Sequence, residues 1–281
     1  MKKLLFVLSA VALFATSCAA QPFIRVKGSG KSVKGEFDIT LDYSSLSVQE
    51  GIEVVLVPSD VPLGTIVADE EVMEYVSIVE TNGVVKVSYE PTITISSGGV
   101  KTVVTMPISG NLARVKVSSA GSIKCETTLN PTRLEVDASS AGMVDLSLDG
   151  GNLSADLSSA ATVNIRGNVG LVDVEASSAA TFDINGTVGL LNVDLSSAAT
   201  FRGEGTADQI NLEVSSAASF RGYDLTGRSA VVDASSGGSV HFTVTDELDA
   251  EASSGASVKY MGSPTRVNRD VSSGGSVRKA E

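Results

Sequence analysis

The chain has 281 residues, with 33 acidic and 21 basic side chains, so its formal net charge is −12. Nucleic-acid binding depends on clustered Lys and Arg that meet phosphates, and this charge balance argues against it. The single histidine excludes metal motifs built on two histidines, while the length allows one large all-β domain or two smaller ones.

Residues 1–18 have the form of an export signal. Two lysines, an apolar run and small residues precede the cysteine in MKKLLFVLSAVALFATSC. The end of this segment, Ala15-Thr16-Ser17-Cys18, resembles a bacterial lipobox, in which the cysteine is acylated and becomes the mature N-terminus. We therefore predict lipid attachment at Cys18, with cleavage after Ala20 and a soluble exported product as the alternative. The apolar run is too short to span a membrane, so the lipid anchor is the only membrane contact that we expect.

The next two segments are a predicted linker over residues 19–32 and a predicted irregular N-terminal β cap over residues 33–95. Within the cap, LSVQEGIEVVLVPSD and VVKVSYE alternate apolar and polar residues as strands do. The segment DEEVMEYV between them predicts a short helix or turn. We expect the cap to close the exposed core of the first solenoid turn.

From residue 96 to residue 281, a serine pair recurs at a nearly constant spacing of 18 to 22 residues. The pairs begin at Ser96, Ser118, Ser139, Ser158, Ser177, Ser196, Ser215, Ser235, Ser253 and Ser272. A fixed period near twenty, with apolar residues at every second position, predicts an all-β parallel β-helix, or solenoid, with rungs of about 19 residues. The handedness of parallel crossovers predicts a right-handed helix.

Alternation along each rung predicts which side chains face the core. Leu153, Leu157, Val163 and Ile165 share one face in the same rung, and Phe182, Phe201 and Phe220 stack in three successive rungs. The same alternation places the second serine of each pair inward, in a column of hydroxyl groups that satisfy one another, and the first serine outward.

Eight carboxylates, each two residues before a serine pair, form an outward acidic column. They are Asp137, Asp156, Glu175, Asp194, Glu213, Asp233, Glu251 and Asp270. Because Ca²⁺ takes oxygen ligands, this column is a candidate weak Ca²⁺ site, and we predict no other cofactor. The alternative is a solvated face that keeps the solenoid soluble.

Outward hydroxyl groups before and after each small-residue corner form the predicted ligand face. Its candidate residues are Ser158, Thr162, Ser177, Thr181, Ser196, Thr200, Ser215 and Ser219. Such a strip could dock sugars, and the alternative is that the hydroxyl groups only stabilise strand stacking. Two residues further on, a mixed outward column turns basic toward the C-terminus and includes His241, which we expect to be solvated. This column contains Lys124, Asp145, Asn164, Asp183, Arg202, Arg221, His241, Lys259 and Arg278.

Residues 33–122 resemble the bacterial envelope proteins named "putative auto-transporter adhesin, head GIN domain", which are common in Bacteroidetes. The resemblance lies in LSVQEGIEVVLVPSD, TIVADEEVMEYVSIVETNGVVKVSYE and VVTMPISGNLARVKVSSAGSI, and the serine rungs extend it along the chain. Gly51-Ile52 matches the family name, whereas Glu53 stands where that name implies Asn. The resemblance implies a β-helical exported lipoprotein and carries no catalytic residues.

We predict a non-enzymatic outer-membrane lipoprotein, on the cell surface or the periplasmic face, that acts as an adhesin or binding module. Its hydroxyl and acidic columns would meet a glycan, an envelope or cell-surface protein, or another copy of the chain. The nearly constant period leaves no insertion to build a water-excluding catalytic cleft. One alternative is a periplasmic scaffold without a ligand. A lesser alternative is a polysaccharide-acting β-helix enzyme that uses face carboxylates with Arg202 or Arg221.

Overall fold

A computed structural model describes residues 24–91, 93–96 and 99–280 of the chain. The predicted signal, Cys18 and residues 19–23 of the predicted linker lie outside these residues. The fold is all-β, a parallel solenoid of about 9 turns with rungs of about 19 residues, as the sequence predicts. The short helix or turn predicted within DEEVMEYV is a 3-10 helix, Met73–Tyr75.

Among the described residues up to residue 107 there are nine short strands. In chain order they are β1 (Ile24–Lys27), β2 (Ser32–Asp38), β3 (Ser45–Val48), β4 (Glu53–Val57), β5 (Leu63–Asp69), β6 (Val76–Thr81), β7 (Val84–Tyr89), β8 (Ile93–Ser96) and β9 (Val103–Pro107).

The remaining strands are parallel to their neighbours and form the regular stack. They are β10 (Arg114–Val117), β11 (Ser122–Leu129), β12 (Arg133–Ala138), β13 (Met143–Asp149), β14 (Asn152–Leu157), β15 (Thr162–Ala176), β16 (Thr181–Leu195), β17 (Thr200–Val214), β18 (Ser219–Ala234), β19 (Ser239–Ala252), β20 (Ser257–Met261), β21 (Arg266–Val271) and β22 (Ser276–Lys279).

The stack also includes a turn that precedes residue 96. Strands β3 and β4 pair in parallel with β10 and β11, so residues 45–57 form a turn of the solenoid, whereas the sequence predicts the solenoid from residue 96. Strands β7 and β9 pair in parallel with the opposite edges of β3 and β4. In space, the turn of residues 45–57 therefore lies between residues 84–107 and residues 114–129. Ser96 lies in β8, which pairs with β1, and not at a solenoid corner.

Antiparallel strands cap the N-terminal end of this stack. Strand β5 pairs with β9, β2 pairs with β5, and β6 pairs with β7, all antiparallel. Behind them Tyr43 is fully buried, and its hydroxyl donates a hydrogen bond of 2.6 Å to the Pro107 carbonyl oxygen. The cap thus covers the first turn with paired backbone and a buried aromatic ring.

One apolar core runs along the axis, and it contains the residues that alternation predicts. Leu153, Leu157, Val163 and Ile165 are each at most 1% exposed. The rings of Phe182 and Phe201 have centroids 5.5 Å apart, and those of Phe201 and Phe220 are 4.6 Å apart, with nearly parallel planes. Side chains of the same type therefore stack on one another, with one from each rung.

The serine-pair corner is a tight turn with two left-handed residues at its tip. In the corner at 158–161, φ is +50° at Ser159 and +60° at Ala160, and the Ala161 N–H donates a hydrogen bond of 3.1 Å to the Ser158 carbonyl oxygen. Two successive positive φ angles closed by this bond define a type I′ turn. The predicted inward column of second serines is therefore wrong, because Ser159 is exposed at the tip.

Backbone hydrogen bonds join the turn tips from rung to rung. The Ala160 N–H donates to the Ser178 carbonyl oxygen at 3.0 Å, and the Ala179 N–H donates to that of Ser197 at 3.0 Å. Gly51 occupies the matching place in the turn of residues 45–57, because its N–H donates to the Ser119 carbonyl oxygen at 2.9 Å. The Gln49-Glu50-Gly51-Ile52 segment thus forms the same kind of turn as the serine-pair corners.

A charged side chain covers the C-terminal end of the core. Arg269 on β21 is in register with the buried Ala250 on β19, so it occupies an inward position. Its guanidinium carbon lies 5.3 Å from the centre of the Tyr260 ring, and its Nη2 donates a hydrogen bond to the Tyr260 hydroxyl. An inward charge on a terminal strand discourages another strand from pairing there.

Candidate functional site

The predicted hydroxyl face lies along both sides of the serine-pair corner. Before the corner, Ser158, Ser177, Ser196 and Ser215 follow one another in consecutive rungs and are half-buried. After it, in-register pairing joins Thr162, Thr181, Thr200 and Ser219, which are also half-buried. The structure therefore brings all eight candidate residues to one corner of the solenoid.

The turn tips divide this face into two hydroxyl columns. Ser159 and Ala160, like their counterparts in neighbouring rungs, are exposed and lie between the column of first serines and the column of Thr162. The column of Thr162 begins at Ser122 and is interrupted by Met143, which is 43% exposed. A ligand would meet two parallel hydroxyl columns with a low ridge between them.

The acidic column is continuous in the structure. Each of its carboxylates from Asp137 to Asp270 pairs in register with the next, and all except the half-buried Asp137 are exposed. Adjacent members lie on strands about 4.8 Å apart. Across the described residues, no group of three or more His, Cys, Asp or Glu side chains is arranged to hold a metal ion.

Beside the acidic column, amide side chains link successive rungs. The Asn192 Nδ2 donates to Asp173 Oδ1 at 2.5 Å, and the Asn211 Nδ2 donates to Asn192 Oδ1 at 2.9 Å. Asn268 and Asp249 repeat this contact at 3.0 Å near the C-terminus. These side chains satisfy one another along the stack, which indicates a stabilising role.

The mixed column becomes a basic column in its C-terminal half. In-register pairing joins Arg202, Arg221, His241, Lys259 and Arg278 on five successive strands. Arg202 forms an ion pair with Asp183, with 3.1 Å between Nη1 and Oδ1. Among the described residues, neither Arg221 nor Lys259 has a carboxylate oxygen within 4.0 Å. At Arg221 and Lys259 this column thus carries positive charge that no carboxylate of the described chain neutralises by direct contact.

An aromatic pair at this column was not predicted from the sequence. The Tyr223 ring stacks on the His241 imidazole, with 5.0 Å between centroids and 10° between planes. Burial lowers the pKa of His241, and the positive charges of Lys259 and Arg221 lower it further. Tyr223 lies at a register shift between β18 and β19, and the only sequence signal for it is a rung of twenty residues, from Ser215 to Ser235, after four rungs of nineteen.

Glu53, which follows Gly51-Ile52, contacts two lysines beside the corner of residues 49–52. Its carboxylate accepts a hydrogen bond from Lys101 Nζ and lies 3.3 Å from Lys124 Nζ. The hydrogen bond from Lys101 lowers the pKa of Glu53, and Lys124 adds to this effect against the opposing influence of burial. Glu53 is in register with Ser122, so it lies next to the N-terminal end of the hydroxyl column that begins there.

No membrane-crossing helix occurs in the described ranges, since no helix there is both long and apolar enough. The predicted lipid attachment residue, Cys18, falls outside those ranges. Its prediction thus depends on the sequence alone.

The sequence matches one protein family over residues 42–188 and 172–264, and the description of that family is "Putative auto-transporter adhesin, head GIN domain". The two matches together span more than half of the chain. No curated protein sequence matches the chain significantly.

Three solved structures from Parabacteroides species have a similar fold. A "putative adhesin" from Parabacteroides merdae has a TM-score of 0.66 at 17% identity, over 92% of this chain and 99% of that one. A "putative adhesin" from Parabacteroides distasonis has a TM-score of 0.65 at 19% identity, over 92% and 100%. A "putative lipid binding protein" from Parabacteroides distasonis has a TM-score of 0.62 at 17% identity, over 92% and 100%. At 17–19% identity, this similarity shows that the chain shares the fold of these proteins.

Proposed function

Because the chain belongs to the family described as "Putative auto-transporter adhesin, head GIN domain", we propose that it is an adhesin-type binding module of the cell envelope. It presents the two hydroxyl columns and the acidic column to a glycan or to a protein of a cell surface. The observation that carries this proposal is the in-register stacking of Thr162, Thr181, Thr200 and Ser219, together with that of the acidic column. A repeating surface offers a repeating ligand the same contacts at every rung, which raises avidity.

The proposed module is not an enzyme. The shallow depression beside the acidic column is lined by outward residues of successive rungs, including Glu135, Asp156 and Glu175, and it is open to solvent. Acid–base catalysis on a glycan needs carboxylates that are held apart at a defined distance and shielded from water. A uniform row of exposed carboxylates has the wrong arrangement for these roles.

The proposed location is the outer membrane, with Cys18 as the lipid anchor and the solenoid exposed at the cell surface. The family description supports an envelope location, and the lipobox-like segment supports lipidation. Protease treatment and biotin labelling of intact cells test the exposure. Labelling of the chain in intact cells is expected, and labelling only after cell lysis would favour the periplasmic scaffold.

A glycan array probed with the purified full chain tests the binding role. We expect binding to a subset of glycans and a loss of signal when Thr181 and Thr200 are both replaced by Val, which keeps the side-chain shape but removes the hydroxyl groups. The matched control replaces Thr187 and Thr206, a threonine pair on another part of the same strands. An array without signal, together with no capture of purified envelope proteins, would contradict the proposed function.

A further inference from the structure

The basic column is a local reversal of charge on a strongly acidic molecule. Arg202, Arg221, His241, Lys259 and Arg278 lie on successive strands, so they cover about 19 Å along the axis at about 4.8 Å per step. Like-charged side chains directly opposite one another in a sheet destabilise it. At His241, burial lowers the pKa, and the positive charges of Lys259 and Arg221 add to this effect.

Groups that suit an anionic sugar lie directly beside this column. Thr200, Ser219, Ser239, Ser257 and Ser276 precede the five basic residues by two positions on the same strands, so both sets share the outward face. These hydroxyl groups can donate hydrogen bonds to carboxylate or sulfate oxygens, next to the guanidinium and ammonium groups.

An aromatic surface completes the strip at its centre. The rung that begins at Ser215 has one residue more than the four rungs before it, and its register shift places Tyr223 against His241. Tyr223 is 36% exposed, so part of this aromatic residue is available to a ligand next to the cations. Bulges that redirect a side chain in this way occur preferentially near functional sites.

We propose that this strip, formed by Arg221, His241, Lys259, their neighbouring hydroxyl groups and Tyr223, binds a linear acidic glycan. The acidic groups of the glycan lie against Arg221 and Lys259, and one sugar ring contacts Tyr223. This inference deepens the proposed function, on which it rests, by naming the ligand class and by assigning it to a column that the hydroxyl-face prediction does not contain.

A glycan fits the strip better than a second copy of the chain does. Two copies would align the acidic column of one with the basic column of the other, but each copy has a formal net charge of −12 and repels the other. A single polymer chain meets only the strip and its hydroxyl groups. A contact between the charged columns of two copies would also leave the exposed Tyr223 ring without a partner.

Binding of polygalacturonate, which carries carboxylates, and of dextran sulfate to the purified full chain tests this inference, with neutral dextran as the control. We expect binding to at least one polyanion that weakens as the salt concentration rises, and no binding to neutral dextran. The acidic polymer that binds more tightly identifies the anionic group. If neither polyanion binds, this inference is overturned, while binding of neutral glycans or proteins on the array leaves the proposed function in place.

A pair of double variants with equal charge change distinguishes the strip from general electrostatics. R221Q/K259Q is expected to weaken polyanion binding by about tenfold, since two charge-assisted contacts are lost. K34Q/K86Q removes two exposed lysines elsewhere and is expected to leave the affinity unchanged. Equal weakening in both variants would overturn the inference. The inference would also be overturned if sedimentation showed an oligomeric wild type and a monomeric R221Q/K259Q. The basic column would then be a contact between copies of the chain.

Discussion

At the scale of single residues, Asp69 connects the N-terminal segment to the cap. It is fully buried, and its carboxylate accepts hydrogen bonds from the N–H groups of Ser29 at 2.9 Å and Gly30 at 2.7 Å. The N–H of Glu71 also donates to it, at 3.1 Å. Burial raises the pKa of this carboxyl, but the backbone donors outweigh that effect and the pKa is about 2.

Because the pKa of Asp69 is lower in the folded chain than its ordinary value of 3.8, the carboxylate stabilises the fold fully above that value. This contribution is lost as the pH falls through about 2. We expect D69N to lose hydrogen-exchange protection at the amides of Ser29 and Gly30 near neutral pH. D60N, at an exposed carboxylate, is the control. Unchanged protection in D69N would show that this carboxylate does not hold the segment.

Gly205 marks a corner where a side chain cannot fit. Its φ is +115°, and a Cβ atom there would lie 1.9 Å from the carbonyl oxygen of Gly186 in the preceding rung. We expect G205A to reduce the free energy of unfolding by about 2 kcal/mol or more, since it adds both backbone strain and a clash. Denaturant unfolding followed by circular dichroism measures this change.

Gly237 provides the matched control for this substitution. Its φ is +74° with no atom within 4 Å of the added Cβ, and the equivalent positions in other rungs hold alanine, such as Ala160 and Ala179. G237A should therefore lose only about 1 kcal/mol of stability, because the alanine meets the left-handed backbone but no clash. A similar loss of stability in both variants would mean that the left-handed backbone, and not the contact with Gly186, causes the loss in G205A.

At the scale of elements, the serine-pair corner repeats a strained turn. Second serines such as Ser178 have φ near +50°, and the residues that follow, such as Ala179, have φ near +60°. Left-handed backbone costs about 1–2 kcal/mol for an ordinary residue, whereas Asn and Gly favour the type I′ turn. The hydrogen bonds between tips in adjacent rungs hold the strained residues in place.

Replacing one corner with the preferred turn residues should stabilise the solenoid. We expect S178N/A179G to raise the free energy of unfolding by about 1 kcal/mol, because both left-handed positions are relieved. The control is S177N, which changes the first serine of the pair, outside the left-handed positions. Thermal unfolding compares the three proteins, and a lower melting temperature in S178N/A179G than in the wild type would contradict the turn assignment.

At the scale of the whole molecule, the two ends of the solenoid are protected differently. Antiparallel strands β2, β5 and β6 extend over the N-terminal end. At the C-terminal end, Arg269 occupies the inward position that holds Ala250 in the preceding rung, and its guanidinium group lies over the Tyr260 ring. A solenoid with two open apolar ends would pair with itself, so each end needs its own means of closure.

Removing the charge at the C-terminal end should promote association. We expect R269V to form dimers or larger species as its concentration rises, since an apolar residue then completes the inward column of β21. R266V, an outward change on the same strand, should not associate. Sedimentation velocity measures both variants, and a strictly monomeric R269V would show that Arg269 is not the element that prevents pairing.

Much of this architecture follows from the sequence because the apolar period of two and the rung repeat are local properties. Leu153, Leu157 and Phe201 are buried as alternation predicts, and the acidic column is in register as the spacing predicts. The orientation of Ser159 could not be obtained in this way. Ala161 is four positions after Leu157 whether the chain continues as a strand or makes a two-residue turn. Both interpretations therefore give the same alternation on either side of the corner.

What the sequence by itself determined is therefore the solenoid, its core columns and its outward columns, since each depends on neighbours within one rung or on a fixed repeat. The tertiary structure decided which turns are adjacent and which side chains meet across them. It placed residues 45–57 between two later segments, and it brought Tyr223 onto His241 through a register shift. These contacts join distant parts of the chain. They are selected by the energy of pairing between strands, which a local sequence pattern does not contain.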